Sequence, residues 1–212
     1  MKGKHPYAEG LAAALSLRAK LQPFCERIEV AGSIRRRCET VGDIEIVAIP
    51  RMQTVDGLFG PMGKAVSLLD EHLAKYPEIY RQVRAGERMK EMFFEGYQVD
   101  LFLCTPERWG VIFTLRTGSA DFSKWLVTSR TAGGGRLPFR YVEGGQVWGW
   151  GKRMPFETPE EEDVFEALGV AWVPLELRHR GYWGEGRPGT DTLTGTGAGE
   201  REKRPEKEVE YE

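Results

Sequence analysis

The sequence predicts an α+β fold over residues 1–180. Three observations lead there. Segments that alternate polar and apolar residues are interleaved with segments whose apolar residues recur every three or four positions, so strands and helices are mixed along the chain. Hydrophobic residues make up 41% and charged residues 29% of the 212 positions, enough to fill a core beneath a polar surface. No internal repeat is present.

The elements follow in order. Residues 7–21 (YAEGLAAALSLRAKL) are rich in Ala and Leu and read as an amphipathic helix, ended by Pro23. Arg27 to Ala31 alternates and reads as a strand, and Gly32 to Gly42 as a polar, basic loop. Asp43 to Ile49 starts as an alternating segment and turns wholly apolar, the pattern of a central strand stopped by Pro50. Residues 57–76 carry a helical pattern, with Val66, Leu69 and Leu73 at spacings of three and four. Residues 79–84 and 90–95 read as short strands, and Tyr97 to Cys104 as a strong one ended by Thr105 and Pro106. Residues 106–115 and 121–130 read as helices. Gly133–Gly135 and Gly144-Gly145 bracket hairpin-like segments that include Gln146 to Trp150. Glu160 to Leu168 reads as a last helix, with Thr158 as its N-cap and Gly169 past its end. Residues 181–212 have almost nothing to bury after Trp183 and read as a disordered polar tail.

No run of about 18 apolar residues exists, so no membrane span is expected. The start, MKGKHPYAEG, lacks the apolar stretch of a secretory signal. Cys25, Cys38 and Cys104 are odd in number and far apart, which suggests reduced thiols in a cytoplasmic setting and offers no zinc-ligand spacing. The net charge of −2 hides a split: residues 181–212 hold five basic and eight acidic residues. Residues 106–153 hold eight basic residues (Arg108, Arg116, Lys124, Arg130, Arg136, Arg140, Lys152, Arg153) against Glu107, Asp121 and Glu143. That segment is either a solvated basic face or a surface for a polyanion.

The residues that carry chemistry lie in GSIRRRCETVGDIEIV. Asp43 and Glu45 are two apart on an expected strand, so both carboxylates share a face. Two adjacent anions on a core strand are costly unless a cation sits between them. Oxygen-only donors favour Mg²⁺ or Mn²⁺ over zinc. The pair alone equally fits an exposed amphipathic strand. Asp100, set in the apolar strand YQVDLFLC, tips the reading toward a site: three carboxylates on neighbouring strands could hold two ions and a triphosphate. Asp100 is also the natural acceptor for the proton of an attacking hydroxyl. Before the pair, Gly32 permits close backbone approach and the Ser33 hydroxyl can donate to phosphate. Arg35, Arg36 and Arg37 are either a basic turn or phosphate contacts, with Arg36 the expected direct ligand. Gly42 leaves room for the phosphates ahead of Asp43.

With Gly32-Ser33, Asp43-Ile44-Glu45 and Asp100 in this order, the chain resembles the DNA polymerase beta superfamily of nucleotidyltransferases. The spelling GSIRRRCETVGDIE, followed by LFLCTPERWGVIFTLRTGSADFSKWL, is similar to DNA polymerase family X in particular. The closing segment EEDVFEALGVAWVPLELR, with Pro174, Glu176 and Arg178, resembles the family's end, so the likeness spans about residues 5–178. The resemblance implies a palm over 1–113, a small twisted mixed sheet with helices, and a small α+β thumb over 114–180, in a minimal form without the lyase and fingers domains. It implies that Asp43, Glu45 and Asp100 are both catalytic residues and ligands of two Mg²⁺ (or Mn²⁺) ions. It implies nucleotide contacts from Gly32, Ser33, Arg36, Gly42, Thr117, Gly118, Ser119, Phe122 and Ser123. Lys124, Arg130, Arg136 and Arg140 would face DNA. Two departures stand out. Glu45 replaces the Asp of the best-known members, and Leu115-Arg116 replaces an aromatic pair that acts on sugar selection in mammalian ones.

The expected function is a DNA polymerase that moves a nucleoside monophosphate from a dNTP to a primer 3′-hydroxyl, in repair or gap filling. Its partners would be primer–template DNA and dNTP, with no membrane, and the chain is expected to be monomeric. The tail is a candidate dock for a protein partner. Untemplated terminal transfer, and nucleotide transfer to a small molecule or protein, are the alternatives.

Overall fold

In the computed structural model, residues 4–54, 65–179 and 183 are described. The chain is mixed α+β. It runs β1 (His5–Pro6), α1 (Tyr7–Leu21), β2 (Cys25–Val30), α2 (Gly32–Arg35), β3 (Thr40–Val41), β4 (Ile44–Pro50) and β5 (Met52–Thr54). It continues with β6 (Ala65–Ser67), α3 (Leu68–Lys75), β7 (Arg81–Ala85), β8 (Met89–Phe94) and β9 (Tyr97–Leu103). The C-terminal part holds α4 (Trp109–Thr117), α5 (Ala120–Val127), β10 (Arg140–Glu143), β11 (Gln146–Gly149) and α6 (Glu161–Leu168).

Five strands form one sheet in the order β2-β4-β9-β8-β7. The central pair, β4 and β9, is parallel, and the other pairs are antiparallel. That placement explains why Ile46 to Ile49 and Leu101 to Leu103 are apolar without a break: the inner strands are covered on both faces there. On one face Ile44, Ile46, Ala48, Val99, Leu101 and Leu103 pack against α1 and α3. Helix α1 offers Ala13, Ala14, Leu17 and Leu21 to that core, and α3 offers Leu69 and Leu73. On the other face Val47, Ile49, Phe102 and Cys104 pack against Trp109 and Phe113 of α4, one turn apart on the helix.

Helix α4 also faces the other way. Its Val111 enters a second core with Phe122 and Leu126 of α5, Val147 of β11, and Val164, Phe165 and Leu168 of α6. The boundary expected at 113/114 therefore falls inside a helix shared by both cores.

The expected strands 27–31, 43–49, 79–84, 90–95 and 97–104 all form, as do the helix 7–21 and the 146–150 arm of a hairpin. Four details differ. Gly32–Arg35 is a helical turn rather than a loop, closed by the Arg35 and Arg36 N–H groups donating to Ala31 O and Gly32 O. Val66 lies in β6 opposite Gln53, and the helix starts only at Leu68 because the Ser67 hydroxyl caps it, accepting from the Asp70 N–H at 3.1 Å. Helix α5 stops at Val127, where the Thr128 hydroxyl bonds back to Lys124 O. Helix α6 is capped by Glu160 and Asp163 in a reciprocal box, while Thr158 is buried behind them. Residues 57–64 of the expected helix lie outside the described residues, as does the tail from 181 apart from Trp183. Among the described residues, no helix is long and apolar enough to cross a membrane.

Candidate active site

Parallel register puts Glu45 of β4 directly beside Asp100 of β9. Neighbouring strands lie about 4.8 Å apart, so the two carboxylates are cross-strand neighbours on one face. Asp43 immediately precedes β4, two residues from Glu45. Its charge reaches Glu45. Burial pushes the Glu45 carboxyl up from 4.5 to about 7, with the Asp43 and Asp100 charges adding to the rise and Arg36 and Arg116 opposing it. A carboxylate so short of positive charge takes up a proton or a cation. Among the described residues, no three such side chains are already gathered as a finished metal cage. Uncompensated anions repel, so the convergence expected of Asp43, Glu45 and Asp100 is a shared face with Glu45 and Asp100 adjacent.

The register adds a fourth acid that the sequence reading missed. Glu91 of β8 stands opposite Asp100, and Arg84 of β7 stands opposite Glu91. Glu45, Asp100 and Glu91 thus form a row across three strands. Gln98, two residues before Asp100, donates its amide to Glu91 Oε1 at 3.2 Å and Asp100 Oδ1 at 3.4 Å. The alternation of 90–95 marked Glu91 as facing away from Lys90, but only the pairing of β8 with β9 brings it to Asp100.

The Gly-Ser element packs on this face. The Ala31 N–H donates to Glu45 O at 2.8 Å, and Gly32 has φ +64°. A Cβ at Gly32 would land on the Glu45 carboxylate, so the glycine is required both by its backbone and by the acid beneath it. Among the described residues, the buried Ser33 hydroxyl has no hydrogen-bond partner. Gly42 lies between Val41 of β3 and Asp43. Arg35 and Arg36 both turn toward α4: Arg35 donates to Thr117 Oγ1 at 2.8 Å, and Arg36 to Thr117 O at 2.5 Å. The Nε of Arg36 has no partner among the described residues. Arg35 also meets Glu161 of α6 at 2.6 Å, and Glu161 meets the fully buried Arg178 at 2.7 Å. Burial alone would raise the Glu161 carboxyl, but hydrogen bonds and charge from Arg35 and Arg178 outweigh it and hold the acid below its usual value.

The C-terminal candidates separate into two groups. Thr117 is buried with its hydroxyl engaged by Arg35. Ser119 caps α5 by accepting from the Phe122 N–H at 3.2 Å, and the Ser123 hydroxyl donates to Leu115 O at 2.7 Å. Gly118 sits against Phe122 and Ser123 with no room for a side chain. The Phe122 ring is fully buried, with Trp183 edge-on at 5.3 Å and Phe165 at 6.3 Å. Arg130 donates to Gly135 O and Gly169 O, and Arg136 to Val127 O and Arg140 O, so both guanidinium groups hold loops together. Lys124 is exposed on α5, and Arg140 lies over Phe156 at 4.3 Å. Arg116, not among the expected contacts, stacks on Phe102 at 3.9 Å, two residues beyond Asp100 on the same face. It stands close enough to lower the Glu45 pKa.

Compared with known protein families and with curated proteins, the chain matches no family model and no curated relative.

Proposed function

We propose that the carboxylate face is the active centre of a metal-dependent nucleotidyltransferase with a polymerase family X-type palm and thumb. The reaction is transfer of a nucleoside monophosphate from a dNTP to the 3′-hydroxyl of a DNA primer, as in gap filling. One observation carries the reading: Glu45 and Asp100 are cross-strand neighbours, with Gly32 of the Gly-Ser element packed directly on Glu45.

The donor set fits a hard divalent ion. Asp43, Glu45 and Asp100 offer only carboxylate oxygens, and burial together with the neighbouring acids raises the Glu45 carboxyl, a setting that a cation would relieve. Two Mg²⁺ or Mn²⁺ ions held by these acids would neutralise the triphosphate and acidify the primer hydroxyl. Asp100 accepts the hydroxyl proton as the primer oxygen bonds to the α-phosphorus. The bond from that phosphorus to the bridging oxygen then breaks, and its electron pair leaves with pyrophosphate. Ser33 and Arg36, whose hydroxyl and Nε have no partner among the described residues, and Gly42 take the phosphates. Arg116 and Lys124 would supply positive charge to the primer–template.

The test is extension of a labelled primer, alone and on a gapped template, with each nucleotide and Mg²⁺ or Mn²⁺. Extension that matches the template base supports the proposal. Extension without a template assigns terminal transfer instead. No extension with either metal overturns the polymerase reading and leaves transfer to a small molecule or protein as its successor.

A further inference from the structure

The far end of the β10–β11 hairpin carries two aromatic rings and a methionine that the fold leaves uncovered. Trp150 is 77% exposed, Phe139 45% and Met154 74%. Trp150 and Phe139 are adjacent, since the Trp150 N–H donates to Phe139 O at 3.0 Å. The next turn, Gly149 to Lys152, closes with the Lys152 N–H donating to Gly149 O, and Gly151 takes φ +78° to make it. Chain 152–156 then returns along the hairpin, with the Phe156 N–H bonded to Val147 O at 2.8 Å.

Cations frame these rings. Arg140 lies over Phe156 at 4.3 Å and over Phe139 at 5.0 Å, and Lys152 Nζ lies over Phe156 at 3.7 Å. Gly149 makes this possible, because a Cβ there would press into the Arg140 guanidinium and the Phe156 ring. Arg153 is exposed beside them. Residues 136–156 hold four basic residues and a single acid, Glu143.

An exposed indole contributes nothing to a core, and large exposed apolar rings on a monomer mark a contact surface. Rings set among cations that make no ion pair among the described residues match one occupant best: a single-stranded nucleic acid, whose bases stack on aromatic faces while its phosphates meet Lys and Arg. A duplex keeps its base faces stacked inside, and an apolar protein partner has no use for the surrounding cations.

We infer that the Trp150 end of the hairpin is a stacking site for unpaired nucleotides, with Trp150 and Phe139 holding bases and Arg140, Lys152 and Arg153 holding the adjoining phosphates. From the proposed function it takes only the class of partner, a nucleic acid. It adds a strand-holding site outside the carboxylate face.

The experiment titrates a short, mixed-sequence, single-stranded DNA into the full chain without metal or nucleotide, read by anisotropy and tryptophan fluorescence. Wild type quenches on binding. Trp150→Ala weakens binding roughly tenfold, and Trp150→Phe retains most of it. Lys152→Gln with Arg153→Gln flattens the salt dependence by roughly 0.7 per cation removed. Melting curves matching wild type show that the exposed substitutions leave the fold intact. Wild-type affinity in Trp150→Ala overturns the inference. So does equal Trp150-dependence on blunt duplex, or a sedimentation shift showing that Trp150 instead joins two copies of the chain. A protein that binds the strand through Trp150 yet extends no primer upholds this inference and overturns the polymerase reading.

Discussion

The two faces of the central sheet are built from the same strands and alternate residues, yet they have been filled by opposite rules. On the α1–α3 face, Ile44, Ile46, Val99 and Leu101 are all sealed from solvent. On the α4 face, the apolar filling stops short. Val47 and Phe102 are covered, but one pleat back stand Glu45 and Asp100, with Glu91 alongside. Like charges directly opposite one another across strands destabilise a sheet. The first face exists for stability. The second gives up stability at one end, where α4 leaves the acids half-buried rather than sealed.

Substitutions should separate the two. Leu101→Ala should lower stability by about 2–5 kcal/mol in urea unfolding, because it opens a cavity in a sealed layer. A cost under about 1 kcal/mol would mean that this face is looser than its packing indicates. Gly32→Ala comes next. The left-handed backbone and the overlap with Glu45 should cost about 1–3 kcal/mol, with loss of primer extension. Glu45→Gln should do the reverse, and its effect should depend on pH. The folded carboxyl lies near 7 and its ordinary value is 4.5, so ionisation opposes folding. Nothing is lost below about pH 4.5, the penalty grows through the window from 4.5 to 7, and it is complete above 7. The variant should therefore match wild type at pH 4 and exceed it at pH 8 by on the order of 1–2 kcal/mol. Equal stability at both pH values would show that Glu45 is not short of positive charge. Asp100→Asn should be the mildest for stability, within about 1 kcal/mol, while abolishing extension.

Much of the first face was legible in the sequence, because burial on alternate residues is a local pattern. DIEIVAI and YQVDLFLC announced both central strands, and the acids at Asp43, Glu45 and Asp100 interrupted them visibly. The partnership of Glu45 with Asp100 followed from expecting the two strands side by side. Glu91 and Gln98 did not, because their role depends on a register that no local spacing encodes. The C-terminal half was least legible. The resemblance sets Phe122 against the nucleotide and Arg130 and Arg136 against DNA, but Phe122 fills the second core and the arginines hold carbonyl oxygens. Arg116 was visible as part of the basic segment, but its place beside the acids was not, because its partner, Phe102, belongs to a strand far back in the chain. Glu161 escaped for the same reason: a buried glutamate is legible only once Arg35 and Arg178 are seen around it.

The central claim is that the acids of the second face bind a divalent ion together with a nucleoside triphosphate. Calorimetric titration of Mn²⁺ into the full chain with a saturating dNTP tests it without requiring turnover. Wild type should show saturable binding that tightens as pH rises through 7 and weakens at least tenfold in Asp100→Asn and in Glu45→Gln. Binding unchanged by both substitutions, or no saturable binding in wild type, would contradict it.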